Sequence, residues 1–238
     1  MKTKIISLLF TLIVGTGTAI ASITKVDDIW YNFDNSNMTA EVTYQDYKPK
    51  PNSYNGIISI PFSVTYKGVI YKVTSIGGRA FESNTGLTSV EIPNGVTSIG
   101  VGAFLGCSGL TSVNIPESVE YIGGNAFKGC NSLRKVTLNS NTIASKTYDS
   151  DNNLGTIFGS NVNEYIIGDS VTHIGALAFW NSEVISVTIG NNVTSIGRAA
   201  FDYCNRLWEV HISDIAAWCA ISFSSLSSNP LTMQVICI

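Results

Sequence analysis

The chain has 238 residues, 45% of them apolar and only 13% charged, with a formal net charge of −3. So few Lys and Arg on an acidic chain argue against nucleic acid as a partner, since phosphate contacts need clustered positive charge. Solubility must rest on Ser, Thr, Asn and Gly, a balance that suits a β-rich extracellular protein better than a helical cytosolic enzyme.

From the N-terminus, Lys2 and Lys4 precede an uncharged run over residues 5–20 that ends in Ala19, Ile20 and Ala21. That pattern predicts a secretory signal peptide over residues 1–21, cut after Ala21. The run is too short to span a bilayer comfortably and Gly15 and Gly17 interrupt it, so no stable membrane insertion is expected after cleavage. No Cys follows the cut to accept a lipid. Loss of two lysines leaves 12 basic and 17 acidic side chains, a net charge of −5.

Residues 22–72 contain the strand-like phrases IWYNF, TAEVTY, GIISIPFSVTY and VIYKV, separated by Pro, Asn and Gly. They predict a small β-structured cap.

Over residues 73–212 one phrase recurs, as VTSIGGRAF at Val73, VTSIGVGAFLGCSGLTSVNIP at Val96 and VEYIGGNAFKGCNSLRKVTL at Val119. Its Phe falls at Phe81, Phe104 and Phe127, 23 residues apart, then at Phe158, Phe179 and Phe201 after intervals of 31, 21 and 22. A fixed period means one structural unit repeated, here about six times. Within each unit, apolar pairs two apart, such as Val113 and Ile115, predict a half-buried strand. Val and Ile three apart, such as Val96 and Ile99, predict a second short extended stretch ended by a Gly turn. The Ala-Phe pair between them suits a short helical turn pressing one aromatic into the core. One unit of this length cannot bury its own apolar stripe, so the units must stack around a shared core.

The Leu-Thr-Ser-Val-x-Ile-Pro string at Leu87 and Leu110, the Val-x-x-Ile-Gly string and the Ala-Phe-x-Gly-Cys string at Ala103 and Ala126 resemble the BspA type of leucine-rich repeat. The resemblance covers most of the mature chain. It implies a β-rich solenoid, a right-handed leucine-rich-repeat superhelix of about six coils of 21–31 residues with short strands and short helical turns. It also implies exposure outside the cell, with adhesion or binding of host, matrix or neighbouring-cell proteins.

Residues 139–156 lose the phrase and predict a polar excursion that interrupts any continuous groove. Residues 213–238, with DIAAWCAISF, a Ser-rich stretch and LTMQVICI, predict a closing segment that ends in a strand. Of the five cysteines, Cys107, Cys130 and Cys204 share one offset and predict small buried rungs rather than a disulfide frame. Cys219 and Cys237 are near enough in sequence for a bridge, but spacing alone cannot establish the geometry.

Asp149, Asp151, Asn153 and Gly155 alternate like the start of a calcium loop, but Leu154 stands at the tight-turn Gly position and Ser160 at that of the bidentate Glu. A solvated polar loop is the better reading. His173 and His211 have no acid or nucleophile tied to them, and neither a Gly-x-Ser-x-Gly elbow nor a His-Glu-x-x-His helix occurs. No catalytic residue, cofactor or metal is expected.

Residues flanking each buried strand pair must point outward in rows across the coils. One row is Glu91, Asn114, Thr137, Ile166, Thr188 and His211; a second is Ser89, Ser112, Lys135, Glu164, Ser186 and Glu209. Against this Thr and Ser background Tyr121, Arg134, Lys135, Trp180, Trp208 and His211 stand out as a candidate binding surface, aromatics and Arg being the usual interface anchors. Trp180 and Trp208 have the competing role of packing over coil edges. The expectation is a monomer, secreted or on the cell surface, that binds an extracellular protein or glycan. The alternatives are a structural spacer without a ligand and a carbohydrate-binding module using the loop around Asp149 to Asn153.

Overall fold

The computed structural model describes residues 23–45, 49–232 and 236–237; the expected signal peptide lies outside them. Each repeat forms one coil with three sides. On the first side the couplets two apart give the parallel strands Leu87–Glu91, Ser112–Ile115, Lys135–Leu138, Glu164–Ile167, Ser186–Ile189 and Glu209–Ile212. Gly56–Ser59 and Ile236–Cys237 extend them at either end into one eight-stranded sheet. Its register follows the repeat: Val136 faces Val113 on one side and Tyr165 on the other, and Val187 faces Tyr165 and Val210.

The second side carries the couplets three apart. Val69–Ile76, Ser98–Ile99 and Tyr121–Ile122 form one run of parallel strands, and His173–Ile174, Ser195–Ile196 and Ser222–Phe223 another.

The third side holds the Ala-Phe pairs, and here the expected helical turns are tight turns instead. Left-handed residues bracket each Phe, as with Gly102 (φ 63°) and Gly106 (φ 73°) around Phe104, and Asn125 (φ 58°) and Gly129 (φ 80°) around Phe127. Such residues break the helical path and swing N–H groups toward the next coil. Gly102, Phe104 and Gly106 accordingly donate to the carbonyls of Gly124, Ala126 and Lys128 at 3.1, 2.8 and 2.8 Å. A helix would have used those donors within its own turn, leaving the coils unconnected on this side.

The three sides enclose one core. In the second coil Val96, Ile99, Ala103, Phe104, Cys107 and Leu110 are all fully buried. The Phe rings form a column along the axis, Phe81 stacked on Phe104 and Phe104 on Phe127 at 5.1 Å each and Phe179 on Phe201 at 5.0 Å, with Phe158 tilted by 38° against Phe127 at 5.0 Å. Between Phe158 and Phe179 the strand residue Tyr165 enters the column at 6.3 and 4.9 Å and donates its hydroxyl to the Leu154 carbonyl.

The winding extends upstream of the recognisable phrase. Tyr54 packs tilted against Phe81 with ring centroids 4.9 Å apart, Ile58 pairs with Val90, and Ala40 and Val42 of Thr39–Thr43 pair with Val73 and Ile76. Ile23–Val26, Ile29–Asp34 and Thr39–Thr43 form an antiparallel meander beside Val69–Ile76, and the hairpin partner Ser63–Tyr66 packs there too. An antiparallel meander ends a parallel stack without leaving another open parallel edge on that side.

The fourth coil departs from the others. The helix Asn141–Ser145, capped by the Ser140 hydroxyl, stands where a second-side strand belongs, and Gly175 donates to its Ala144 carbonyl at 2.9 Å. A second helix, Leu154–Phe158, replaces the Ala-Phe turn. Ile143, Ala144, Tyr148 and Leu154 of this coil are buried, so only the loop between the two helices projects. The break is confined to two sides, because the eight-stranded sheet passes through coil four without interruption.

Candidate functional site

The outward rows expected from alternation are in register. Lys135 pairs with Ser112 and Glu164, Thr137 with Asn114 and Ile166, and His211 with Thr188. A third row lies at the strand entrance, where Arg134 donates its N–H to Thr111 and Trp208 its N–H to Ile185. The sheet therefore gathers four of the six candidate residues, Arg134, Lys135, Trp208 and His211. In these rows its first two coils present Thr88, Ser89, Glu91, Thr111, Ser112 and Asn114 and its fifth presents Ser186 and Thr188, while the larger side chains Arg134, Lys135, Glu164, Ile166, Trp208 and His211 lie on coils three, four and six.

Trp208 is 59% exposed. Arg134 is exposed and donates to the Asn131 and Leu133 carbonyls at 2.8 and 3.2 Å, which holds its stem along the corner of the coil. Lys135 and Glu164 form a 2.7 Å ion pair across neighbouring strands, and His211 Nε2 lies 3.2 Å from Glu209. Both pairs are solvent-accessible, so they set the pattern of charge on the sheet more than its stability.

The other two candidates lie on different sides. Tyr121 is 54% exposed on the second side, in the strand Tyr121–Ile122. Trp180 is half-buried on the third side, edge-on to Tyr203 with ring centroids 5.7 Å apart. Of the two roles weighed for Trp180, the geometry displays packing over a coil edge.

Cys107, Cys130 and Cys204 are buried free thiols. Each donates to the Phe carbonyl of the preceding coil, Cys107 to Phe81 at 2.9 Å, Cys130 to Phe104 at 3.2 Å and Cys204 to Phe179 at 2.9 Å. They are hydrogen-bonding rungs as well as apolar ones. Burial pushes the Cys107 and Cys130 thiols up to about 12, and Cys204 in the same direction, which removes thiolate chemistry at neutral pH. The pairing considered between Cys219 and Cys237 involves a side chain outside the described residues.

In the projecting loop Asp149 Oδ1 accepts the backbone N–H groups of Asp151 and Asn152, and Asn153 Oδ1 caps the following helix through Thr156. These oxygens are occupied by the chain's own turn and cap. Among the described residues no group of three or more His, Cys, Asp or Glu side chains is placed to hold a metal ion, and no helix is long and apolar enough to cross a membrane.

One feature escaped the sequence reading. Where the sheet turns into the second side, the chain takes five steps from Ile115 to Glu120 and five from Ile167 to Thr172, but only three from Leu138 to Asn141. These end points are equivalent, since Thr172 donates its N–H to Asn141 Oδ1 in the row where Glu120 donates to Thr97. The two missing residues leave a notch of about 340 Å³, lined by Asn94, Asn114, Pro116, Glu117, Asn139 and Ser170 over a floor that includes Ile92.

Stacked parallel coils with a Phe column, a Cys ladder and a polar outer sheet define a leucine-rich-repeat solenoid, and the chain belongs to the BspA type leucine-rich repeat family. The family pattern matches in six copies, over residues 74–208 and 156–235. Proteins of this family are generally surface proteins engaged in protein–protein interaction, and typically binding or scaffold proteins rather than enzymes. A leucine-rich repeat protein from Bacteroides ovatus is similar, with 30% identity and a TM-score of 0.54 over 84% of this chain and 52% of that one. This chain thus spans about half the length of that relative. A leucine-rich repeat protein from Treponema pallidum shares the fold at 21% identity, with a TM-score of 0.50 over 85% of this chain and 86% of its own. One from Eubacterium ventriosum does so at 20% identity and 0.51, over 84% and 49%. No curated protein gives a match.

Proposed function

We propose that the protein acts outside the cell, secreted or held at the surface, and binds a protein of a host, matrix or neighbouring cell through the outer face of its eight-stranded sheet. The observation that supports this is that large and charged side chains gather on coils three, four and six of one face. Arg134 and Trp208 occupy the same row, with Lys135, Glu164, Ile166 and His211 in the rows beside it. Aromatic and Arg side chains carry a disproportionate share of interface energy, and a stiff sheet presents them with little ordering cost. The first two coils, whose rows hold only Ser, Thr, Asn114 and Glu91, form the contrast that a purely structural spacer would extend over all six.

The test is a binding screen of the mature chain against extracellular-matrix and host-surface proteins, repeated with Trp208→Ala and Arg134→Ala. A binding partner whose affinity falls by about tenfold or more in each variant, at unchanged melting temperature, supports the proposal. Retained affinity in both variants moves the interface elsewhere, and an absence of any binding partner favours the spacer. Detection of the cleaved chain in culture medium or on intact cells tests the location independently.

A further inference from the structure

The notch between coils two and five lies where the sheet turns into the second side, bordering the sheet face through Asn114 but away from Arg134 and Trp208. It exists because the connection Leu138–Asn139–Ser140 omits two residues that its neighbours keep, so the chain on either side overhangs a gap. Ser140, fully buried, takes the place of an apolar residue there and donates to the Val119 carbonyl, which secures the shortened connection. Across the gap the Ser170 hydroxyl donates to Glu117 Oε2 at 3.2 Å, a contact between coils that are not neighbours. Gly168 matters as well: a Cβ there would lie 1.9 Å from Asn139 Oδ1, so the missing side chain lets the Asn139 amide lie in the notch.

The lining narrows the class of ligand. Asn114 and Asn139 are joined by one 2.8 Å hydrogen bond from Nδ2 of Asn139 to Oδ1 of Asn114. Two amides joined by a single bond keep N–H donors and a carbonyl lone pair available, whichever way the amides are assigned. The Asn94 amide and Glu117 Oε1 add further polar atoms, while Pro116 and Ile92 beneath them are buried, so the surface the notch exposes is almost entirely polar. No Lys, Arg or His lines the notch, so an anionic ligand would meet the Glu117 carboxylate with no positive charge to offset it. Closely spaced donors and acceptors without positive charge match the hydroxyl-rich surface of a small neutral sugar, and a volume of about 340 Å³ lies at the small end of ligand sites.

We infer that this notch binds a short neutral saccharide, with Asn114, Asn139 and Glu117 as its hydrogen-bonding residues. The probe is an array of neutral glucose-, galactose-, mannose- and N-acetylglucosamine-based oligosaccharides beside their sulfated and sialylated counterparts, followed by calorimetry on the neutral oligosaccharides that bind. Asn114→Ala and Glu117→Ala should each weaken that binding by about tenfold, the loss of one good hydrogen bond. Both side chains are exposed, so the melting temperature should hold, and Trp208→Ala should leave sugar affinity unchanged. Three outcomes overturn the inference: no neutral sugar bound at millimolar concentration, preferential capture of sulfated or sialylated sugars, or neutral binding that survives both notch variants. A protein partner lost with Trp208→Ala but kept with Asn114→Ala would leave the sheet proposal standing while the notch is judged by itself.

Discussion

The eight-stranded sheet and the second side are built from the same repeats, yet only one tolerates the fourth coil without a break. The sheet continues through Glu164–Ile167 with every register kept, whereas the second side gives up its strand to the helix Asn141–Ser145. Strands of four residues buried on alternate positions lock their neighbours by backbone pairing and side-chain packing together. Two-residue strands carry too few hydrogen bonds to impose their geometry, so any segment that buries Ile143 and Ala144 and aims a carbonyl at Gly175 will serve. Variation therefore collects where the pairing is shortest.

The largest test removes what both sides share. Phe104→Ala deletes a fully buried ring stacked on two others and should cost about 3–5 kcal/mol, measured by urea unfolding. A loss below about 2 kcal/mol would mean that the column is not the common core of the coils. The next test acts on the second side alone. A Cβ on Gly123 would lie 2.5 Å from the Val101 nitrogen and 2.7 Å from the Gly100 carbonyl carbon, whereas a Cβ on Gly124 meets nothing within 4 Å. Gly123→Ala should destabilise by about 1–3 kcal/mol through overpacking against backbone, and Gly124→Ala should stay within about 0.5 kcal/mol of the parent.

Alkaline titration probes the third side. Cys107 and Cys130 stand at about 12 in the fold against an ordinary 9.0, so the folded chain keeps thiol protons that the unfolded chain releases. The stability this represents is complete below pH 9 and is lost as pH climbs from there toward about 12, at about 1.4 kcal/mol per pH unit for each thiol. A Cys107→Ala, Cys130→Ala double variant should show a flatter decline over that range. A smaller effect belongs to Ser140→Ala, which removes the cap of the replacement helix and the bond to the Val119 carbonyl at about 1–2 kcal/mol. Hydrogen exchange should quicken at Asn141–Ser145 and remain slow at Lys135–Leu138; equal loss at both would contradict the independence of the two sides.

What was legible in the sequence was what the period wrote more than once. Val113 with Ile115, Val96 with Ile99 and the recurring Phe disclosed strands, stacking and core, because each position is tested again in every coil. The left-handed residues were partly hidden: Gly102 and Gly106 announce themselves, but Arg79, Leu177 and Ala199 adopt the same backbone without glycine, their N–H groups donating to the Val101 carbonyl, the Arg198 carbonyl and the Ser225 hydroxyl of the next coil. The upstream winding was hidden because Tyr54 and Ala40 replace Phe and Val at irregular spacing. Of the candidate surface, alternation placed the rows on the sheet, but it could not assign Tyr121 and Trp180 to other sides, since that depends on how the coil bends. The notch left only a shortened interval between Leu138 and Asn141, a signal visible by aligning the connections rather than the strands.

The loop at residues 149–152 bulges from a coil whose ends are fixed on both flanks, by Tyr148 donating to the Ala176 carbonyl and by Leu154 donating to that of Ala178. A guest sequence spliced between Ser150 and Asp151 would therefore be displayed from the side of the rod while the sheet behind it kept its register. The molecule carries, at the coil most altered from its siblings, a ready mounting point for an added epitope or tether.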